Sequence, residues 1–99
     1  MYFVILGRDR PGTAAGRAEA RPAHLARLEG LKHEGRLLLA GPLPRPDAPE
    51  QAPPEMIGSL IVAEFPSLRE ARDWASLDPY VAAGVYGDVE VLPFRKVLP

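Results

Sequence analysis

The amino-acid sequence predicts one α+β domain in which two helices cover a single face of a four-stranded antiparallel sheet. Apolar strand-like runs and helical runs follow one another in the order strand, helix, strand, strand, helix, strand. Two strand–helix–strand halves joined by a hairpin give the split βαβ (βαββαβ), or ferredoxin-like, arrangement, with the first and third strands in its centre. A length of 99 residues fits one domain covering residues 1–99.

A strand, a long helical region and a second strand occupy the first half of the chain. Residues 2–8 form a continuous apolar run rich in aromatic and β-branched side chains, which is typical of a buried strand. Residues 23–34 have leucines at helical spacing, and Pro22 predicts either a kink or the beginning of a new helix. Residues 36–40 form the second strand, which Gly41-Pro42 is expected to end.

The second half of the chain begins with a proline-rich loop. Residues 43–55 are long for a hairpin connection, which predicts a segment that is either mobile or covers another part of the molecule. Residues 57–65 form the third strand, and Ser67 with Glu70 matches the capping box that begins a helix. Residues 88–98 are expected to form the last strand.

One face of this sheet has no helix to cover it. The strands are apolar on both sides, so we expect a second copy of the chain to cover the bare face and form a homodimer through the sheet. Trp74 lies at helical spacing beside small apolar residues, and we expect it to be structural rather than a binding platform.

Composition restricts the classes of function. A net charge of −1 argues against a nucleic-acid or anionic-membrane partner, because either would require a concentrated positive surface. The chain has no cysteine and two histidines, so we expect neither a thiolate nucleophile nor a metal site. The apolar start is too short to span a membrane and lacks the features of a signal peptide, which favours the cytoplasm.

His24 and Asp78 are the candidates for chemistry, and each has a structural alternative. His24 lies one turn before Leu28 and borders the buried stripe of its helix, where it is either a base or a satisfied core histidine. Asp78 precedes Pro79 and therefore marks a helix boundary, where it either faces a cleft or only caps a turn. Ser59 lacks the Gly-x-Ser-x-Gly context of a nucleophile, so a hydrogen-bonding role in a pocket is favoured.

Several segments together resemble one known family. The order and spacing of these segments, which extend over nearly the whole chain, are similar to those of the YciI-like (YCII-related) family of small bacterial proteins. The proline-rich residues 43–55 are the main departure from it. The segments that carry the resemblance are residues 21–25, 35–42, 58–62, 78–85 and 91–94.

The resemblance implies a ferredoxin-like domain that dimerises through its sheet, in the manner of the dimeric α/β barrels. It also implies that His24 and Asp78 form a catalytic pair in a pocket, and that Ser59 lines this pocket. Tyr80, within the matching Asp-Pro-Tyr segment, is expected to contact the ligand. Arg21 and Arg8 are the candidates for pairing with the charge of that ligand.

These residues predict a cofactor-independent enzyme that transfers protons. A carboxylate that accepts the proton of one imidazole nitrogen makes the other nitrogen a better base. An isomerase or lyase acting on a small organic acid or an aromatic-derived metabolite fits this chemistry. The alternative is a non-catalytic small-molecule-binding or accessory module of the same fold, which would bind its ligand without turnover.

The expected direction of the two helices is unfavourable for a contact between His24 and Asp78. With both helices antiparallel to the central strands, the start of the first helix and the end of the second are expected at opposite ends of the domain. His24 and Asp78 can then meet only if residues 79–84 carry the chain back, or if Asp78 comes from the partner subunit.

Overall fold

The computed structural model describes residues 1–47 and 54–99. Its four strands form one antiparallel sheet in the order β2-β3-β1-β4. The predicted fold class, a split βαβ sheet with its helices on one face, is confirmed. The elements are β1 (Tyr2–Asp9), α1 (Ala14–His33), β2 (Leu37–Pro44), β3 (Met56–Glu64), α2 (Leu68–Ser76), α3 (Pro79–Ala82) and β4 (Tyr86–Phe94).

The core lies between the helices and the inner face of the two central strands. Phe3 and Ile5 of β1 alternate with less buried neighbours, and Ile61 and Ala63 of β3 face the same side in register with them. Leu28 and Leu31 of α1 and Ala71 and Ala75 of α2 complete this layer. Burial of these side chains fixes which way each helix faces and therefore where its polar residues lie.

The structure decides between the alternatives for Pro22 only in part and corrects the expectation for Gly41-Pro42. Pro22 lies inside a single continuous helix, so no new helix begins there; the residues after it, including Leu28 and Leu31, are held by burial in the core. The second strand does not stop at Gly41-Pro42 but extends to Pro44. Since β2 is an edge strand with one side unpaired, its prolines need not donate to the sheet.

The last strand is displaced from the predicted range of 88–98. It begins two residues earlier, at Tyr86, and ends four residues earlier, at Phe94. Ser67 accepts a hydrogen bond from the backbone N–H of Glu70 at 3.2 Å, as the capping pattern predicts. Within the proline-rich region predicted to be a loop, residues 48–53 lie outside the described residues.

The expected direction of the helices was wrong. α1 follows β1 and α2 follows β3, and these two central strands are themselves antiparallel. The two helices therefore run in opposite directions, and the first half of α1 lies at the same end of the sheet as the end of α2. The short helix α3 packs against α1 there, so His24 and Asp78 can meet within one chain.

The outer face of the sheet carries a row of apolar side chains. Leu39, Val62, Val4 and Leu92 stand directly opposite one another across all four strands. The end members Leu39 and Leu92 are 49% and 52% exposed. Within the described ranges, no helix is both long and apolar enough to cross a membrane.

Candidate functional site

A cavity of about 490 Å³ lies between α1 and the β2–β3 side of the sheet. One face of α1 supplies Arg17, Arg21 and His24, which are spaced four and three residues apart and therefore lie on one side of the helix. Ser59 of β3, Tyr80 of α3 and Glu55 next to β3 also line it. Of the residues predicted for the site, Arg21, His24, Ser59 and Tyr80 therefore line the cavity, and Asp78 lies behind His24.

His24 and Asp78 are in direct contact within one chain. The imidazole Nδ1 lies 2.8 Å from Oδ2 and 3.0 Å from Oδ1 of the carboxylate, and the two side chains are only 6% and 2% exposed. An ionised carboxylate can only accept, so Nδ1 is the donor, and in the neutral imidazole Nε2 is then the unprotonated nitrogen. Nε2 makes no hydrogen bond to any described residue, and His24 lines the cavity, so this nitrogen is available to a ligand.

Asp78 has its position because it also caps α3. Its Oδ1 accepts a hydrogen bond of 2.8 Å from the backbone N–H of Tyr80, and Pro79 occupies the first helical turn. Asp78 therefore has the capping role considered from the sequence and also contacts His24. Because a carboxylate has about four acceptor positions, one side chain can serve both partners.

Tyr80 supports the imidazole from one side. Its ring stacks on that of His24 at a centroid distance of 4.1 Å and an interplanar angle of 21°. The ring of Tyr86 meets Tyr80 edge-on at 5.3 Å. Burial raises the pKa of Tyr80, which keeps its phenol neutral. Tyr80 therefore contributes an aromatic surface to the site and restricts the orientation of His24.

Arg17 and Asp9 are site residues that the sequence analysis missed. Nη1 of Arg17 donates to both carboxylate oxygens of Asp9, at 2.9 and 2.7 Å, and Nη2 donates to Oγ of Ser59 at 2.7 Å. The guanidinium also lies 4.7 Å from the ring centroid of Tyr80. Burial raises the pKa of Asp9, while the charge of Arg17 acts in the opposite direction. The spacing of seven residues between Arg17 and His24 could have revealed that both face the cavity.

The two arginines proposed from the sequence to pair with a ligand differ in position. Arg21 lines the cavity and makes no ion pair with any described residue. Arg8 is exposed, forms an ion pair of 2.6 Å with Glu90 and does not line the cavity. The suggestion for Arg8 was therefore wrong, because alternation along β1 directs its side chain away from the helices.

Tyr86 lies in a small buried cluster with Tyr80 and Val85, next to the cavity residue Tyr80. Its ring lies so close over Gly7 that a Cβ there would come within 2.6 Å of Cζ, which explains a glycine in a central strand. The hydroxyl is buried and has no hydrogen-bond partner among the described residues. Burial raises the pKa of Tyr86 strongly, and the nearby Ser59 hydroxyl offsets only part of this effect.

We expect Tyr86→Phe to leave the free energy of unfolding unchanged or to raise it slightly at pH 7, because the lost hydroxyl satisfies no partner. Above pH about 10, where an unfolded tyrosine ionises, wild-type stability should fall, since the folded chain retains the proton. The variant should lose less stability over this range. Urea unfolding at pH 7 and pH 10.5 tests both statements, and a loss of 1 kcal/mol or more at pH 7 (roughly one hydrogen bond) would contradict the first.

A second depression, of about 780 Å³, lies near the start of β1 and α2 and is lined by Phe65 and Trp74 among others. It contains none of the candidate residues. Trp74 packs on Phe65 at a ring-centroid distance of 5.6 Å and contacts the core, in agreement with the structural role expected for it. In the parts of the chain that the structure describes, no group of three or more potential metal ligands occurs.

Comparison with known proteins identifies the family. The model of the YCII-related domain matches residues 1–95. The chain belongs to the YCII-related domain family. The resemblance predicted from the sequence is thereby confirmed.

Individual relatives cover almost the whole of this YCII-related chain. It is 50% identical over 97 residues to the protein YciI of Escherichia coli O6:H1 and to that of Shigella flexneri, with 98% of this chain and 99% of each relative aligned. Among solved structures, 5-chloro-2-hydroxyhydroquinone dehydrochlorinase (TftG) from Burkholderia phenoliruptrix AC1100, in complex with 2,5-dihydroxybenzoquinone, is similar at a TM-score of 0.84. The sequence identity is 31%, and 96% of this chain and 94% of that chain are covered.

Proposed function

We propose that this protein is a cofactor-independent lyase or isomerase that transfers a proton on a small oxygen-bearing organic acid or aromatic-derived metabolite. The observation that carries the proposal is His24, whose Nδ1 is held by a buried carboxylate while Nε2 remains available at a cavity. The similarity to a dehydrochlorinase at 31% identity over nearly the whole chain supports an elimination chemistry in particular.

His24 is the proposed base, and Asp78 orients it. Nε2 takes a proton from a carbon or hydroxyl group of the ligand, and the electron pair of the broken bond moves into the ligand. Asp78 stabilises the imidazolium that forms and fixes the tautomer that precedes it. In an isomerisation the imidazolium returns the proton to a different atom, and in an elimination the electron pair expels a leaving group as an anion.

Ser59 and Arg17 are proposed to stabilise the negative charge that this step creates. Oγ of Ser59 accepts from Arg17, so the hydroxyl proton remains free to be donated to an oxygen of the ligand. The guanidinium behind it makes that hydrogen bond stronger, and Asp9 holds the guanidinium in place through two contacts. Because these groups are preorganised, they need no rearrangement when charge develops.

Arg21 and Tyr80 are proposed to select the ligand. Arg21 contributes a cation at the cavity, which suits a carboxylate or an ionised phenol. Tyr80 and the apolar side chains of Leu28 and Ile61 suit the flat faces of a small ring. A hydroxylated ring, as in the compound that the dehydrochlorinase acts on, would satisfy both requirements.

The experiment that tests this proposal follows proton transfer and leaving-group release separately. Hydroxylated and chlorinated hydroquinones and small carboxylic acids are incubated with the protein in D₂O. Deuterium incorporation is followed by NMR, and chloride release by ion chromatography. We expect at least one class to exchange or to lose chloride in a protein-dependent way. Binding of 2,5-dihydroxybenzoquinone with neither exchange nor turnover of any compound would favour the non-catalytic binding module instead.

The outer face of the sheet supports a homodimer as part of the same proposal. Four apolar side chains in register, with Leu92 half-exposed at one end, form a surface that a second copy can cover. We expect a dimer at micromolar concentration by light scattering coupled to size exclusion. Leu92→Lys should shift it toward monomer, whereas Ala26→Lys, on the exposed side of α1, should not. A well-folded wild-type monomer would contradict the dimer.

A further inference from the structure

Arg27 connects the helix that carries His24 to the end of the helix that precedes Asp78. Its Nη2 donates a hydrogen bond of 2.7 Å to the backbone carbonyl of Trp74, and its guanidinium lies 4.2 Å from the centroid of the indole ring. Arg27 follows His24 by three residues, so the two side chains leave α1 about one turn apart. A single side chain therefore joins the two segments that supply the candidate base and its carboxylate.

The carbonyl that Arg27 binds lies in the last turn of α2, where the partial charge is negative. Its backbone partner there is the N–H of Leu77, through a long hydrogen bond of 3.3 Å. α2 has no basic residue in its own last turn. The positive charge near the C-terminal end of α2 therefore comes from Arg27 on α1. The Asp78 carboxylate, four residues beyond Trp74, interacts favourably with the same charge.

Stability alone does not account for a guanidinium at this position. Nη1 of Arg27 is buried and has no hydrogen-bond partner among the described residues, which costs free energy. Burial lowers the pKa of Arg27, which reflects the same loss of hydration. The carbonyl of Trp74 would keep the N–H of Leu77 as a donor, at 3.3 Å, without Arg27. An apolar side chain of similar length would fill the space without these costs.

From this geometry we infer that Arg27 is a positioning residue, which holds Asp78 in hydrogen-bonding register with His24. α1 and α2 share the apolar core through side chains such as Leu31 and Ala75, and Arg27 adds a polar contact from α1 to the end of α2. From Trp74 the chain reaches Asp78 through one tight turn, in which the N–H of Asp78 binds the carbonyl of Ala75 at 3.1 Å. Fixing Trp74 against α1 therefore fixes the carboxylate relative to the imidazole.

The test observes the hydrogen bond itself and needs no substrate. The Nδ1 proton of His24, when shared with a carboxylate, gives a downfield NMR resonance that exchanges slowly with water; its loss in His24→Gln assigns it. We expect Arg27→Met to retain the fold and most of its thermal stability but to increase the exchange rate of this proton or abolish its resonance. If Arg27→Met does not fold, Arg27→Gln replaces it, with the same expected result because the amide lacks the charge and the planar fork.

Leu31→Ala is the matched control. Leu31 is a buried core residue one turn after Arg27 on the same helix, and its truncation is expected to lower stability while the hydrogen bond from Arg27 to Trp74 stays in place. The resonance should survive in this variant. Wild-type exchange in the Arg27 variant, or equal loss in Leu31→Ala, would overturn the inference. That this positioning matters for catalysis rests on the proposed function, whereas the NMR measurement of the His24 proton does not depend on it. An Arg27 effect in a protein that turns over no compound would count against the proposed function alone.

Discussion

Replacing His24 with glutamine is expected to lower turnover by about 10²–10⁴-fold for any compound that the wild-type protein converts. Glutamine approximates the size of the imidazole and can still hydrogen-bond to Asp78, but it cannot take a proton at neutral pH. The loss should appear in kcat rather than only in KM, because proton transfer belongs to the transition state. Initial rates of deuterium incorporation or chloride release provide the measurement.

The second histidine supplies the control for this experiment. His33 is exposed in the last turn of α1, away from the cavity, and His33→Gln should retain wild-type rates. If His24→Gln converts the same compound at the wild-type rate, His24 is not the base. The turnover would then have to be assigned to another group of the cavity, and the role proposed for His24 would be abandoned.

Replacing Arg17 with methionine is expected to have the largest effect on stability. Arg17 and Asp9 form a bidentate pair whose side chains are 11% and 4% exposed, so the substitution leaves a carboxylate buried without its partner. Breaking such a pair costs about 3–5 kcal/mol. Urea unfolding at pH 7 measures the loss. A change below 1 kcal/mol, the value of about one exposed ion pair, would show that the pair contributes little.

A double variant separates the charge left behind from the packing that is lost. Arg17→Met combined with Asp9→Leu removes both charges, and buried pairs replaced by apolar residues often lose little stability. We therefore expect the double variant to recover most of the free energy of unfolding that Arg17→Met loses. Ser59 loses its charged donor in both variants, so turnover should stay low even when stability returns.

Much of the fold followed from the sequence because its signals are local. The apolar run of β1, the leucines of α1 and the cap at Ser67 each depend on residues within one element. The extent of β2 was missed because it depends on its position at the edge of the sheet, where proline is tolerated. Edge position is a property of the assembled sheet and is absent from any short window of sequence.

The site was predictable in part, for a similar reason. His24 and Asp78 followed from the family resemblance, whereas their contact within one chain required the antiparallel arrangement of β1 and β3. Arg17 looked like any solvent-facing helical arginine, because its partners Asp9 and Ser59 come from two different strands. Only the spacing along α1 would have drawn attention to it.

The residues of the site come from several separate elements, so binding of a ligand is coupled to folding of the domain. Asp9 comes from β1, His24 from α1 and Ser59 from β3, and Asp78 lies 54 residues beyond the histidine. No single strand, helix or hairpin contains all the groups that would hold a ligand, so the affinity should exist only when these elements are assembled. A ligand of this cavity would bind the native state alone and would raise the melting temperature of the whole sheet, in proportion to the logarithm of its concentration once binding is saturated. Thermal shift is therefore a screen for ligands that needs no knowledge of the reaction.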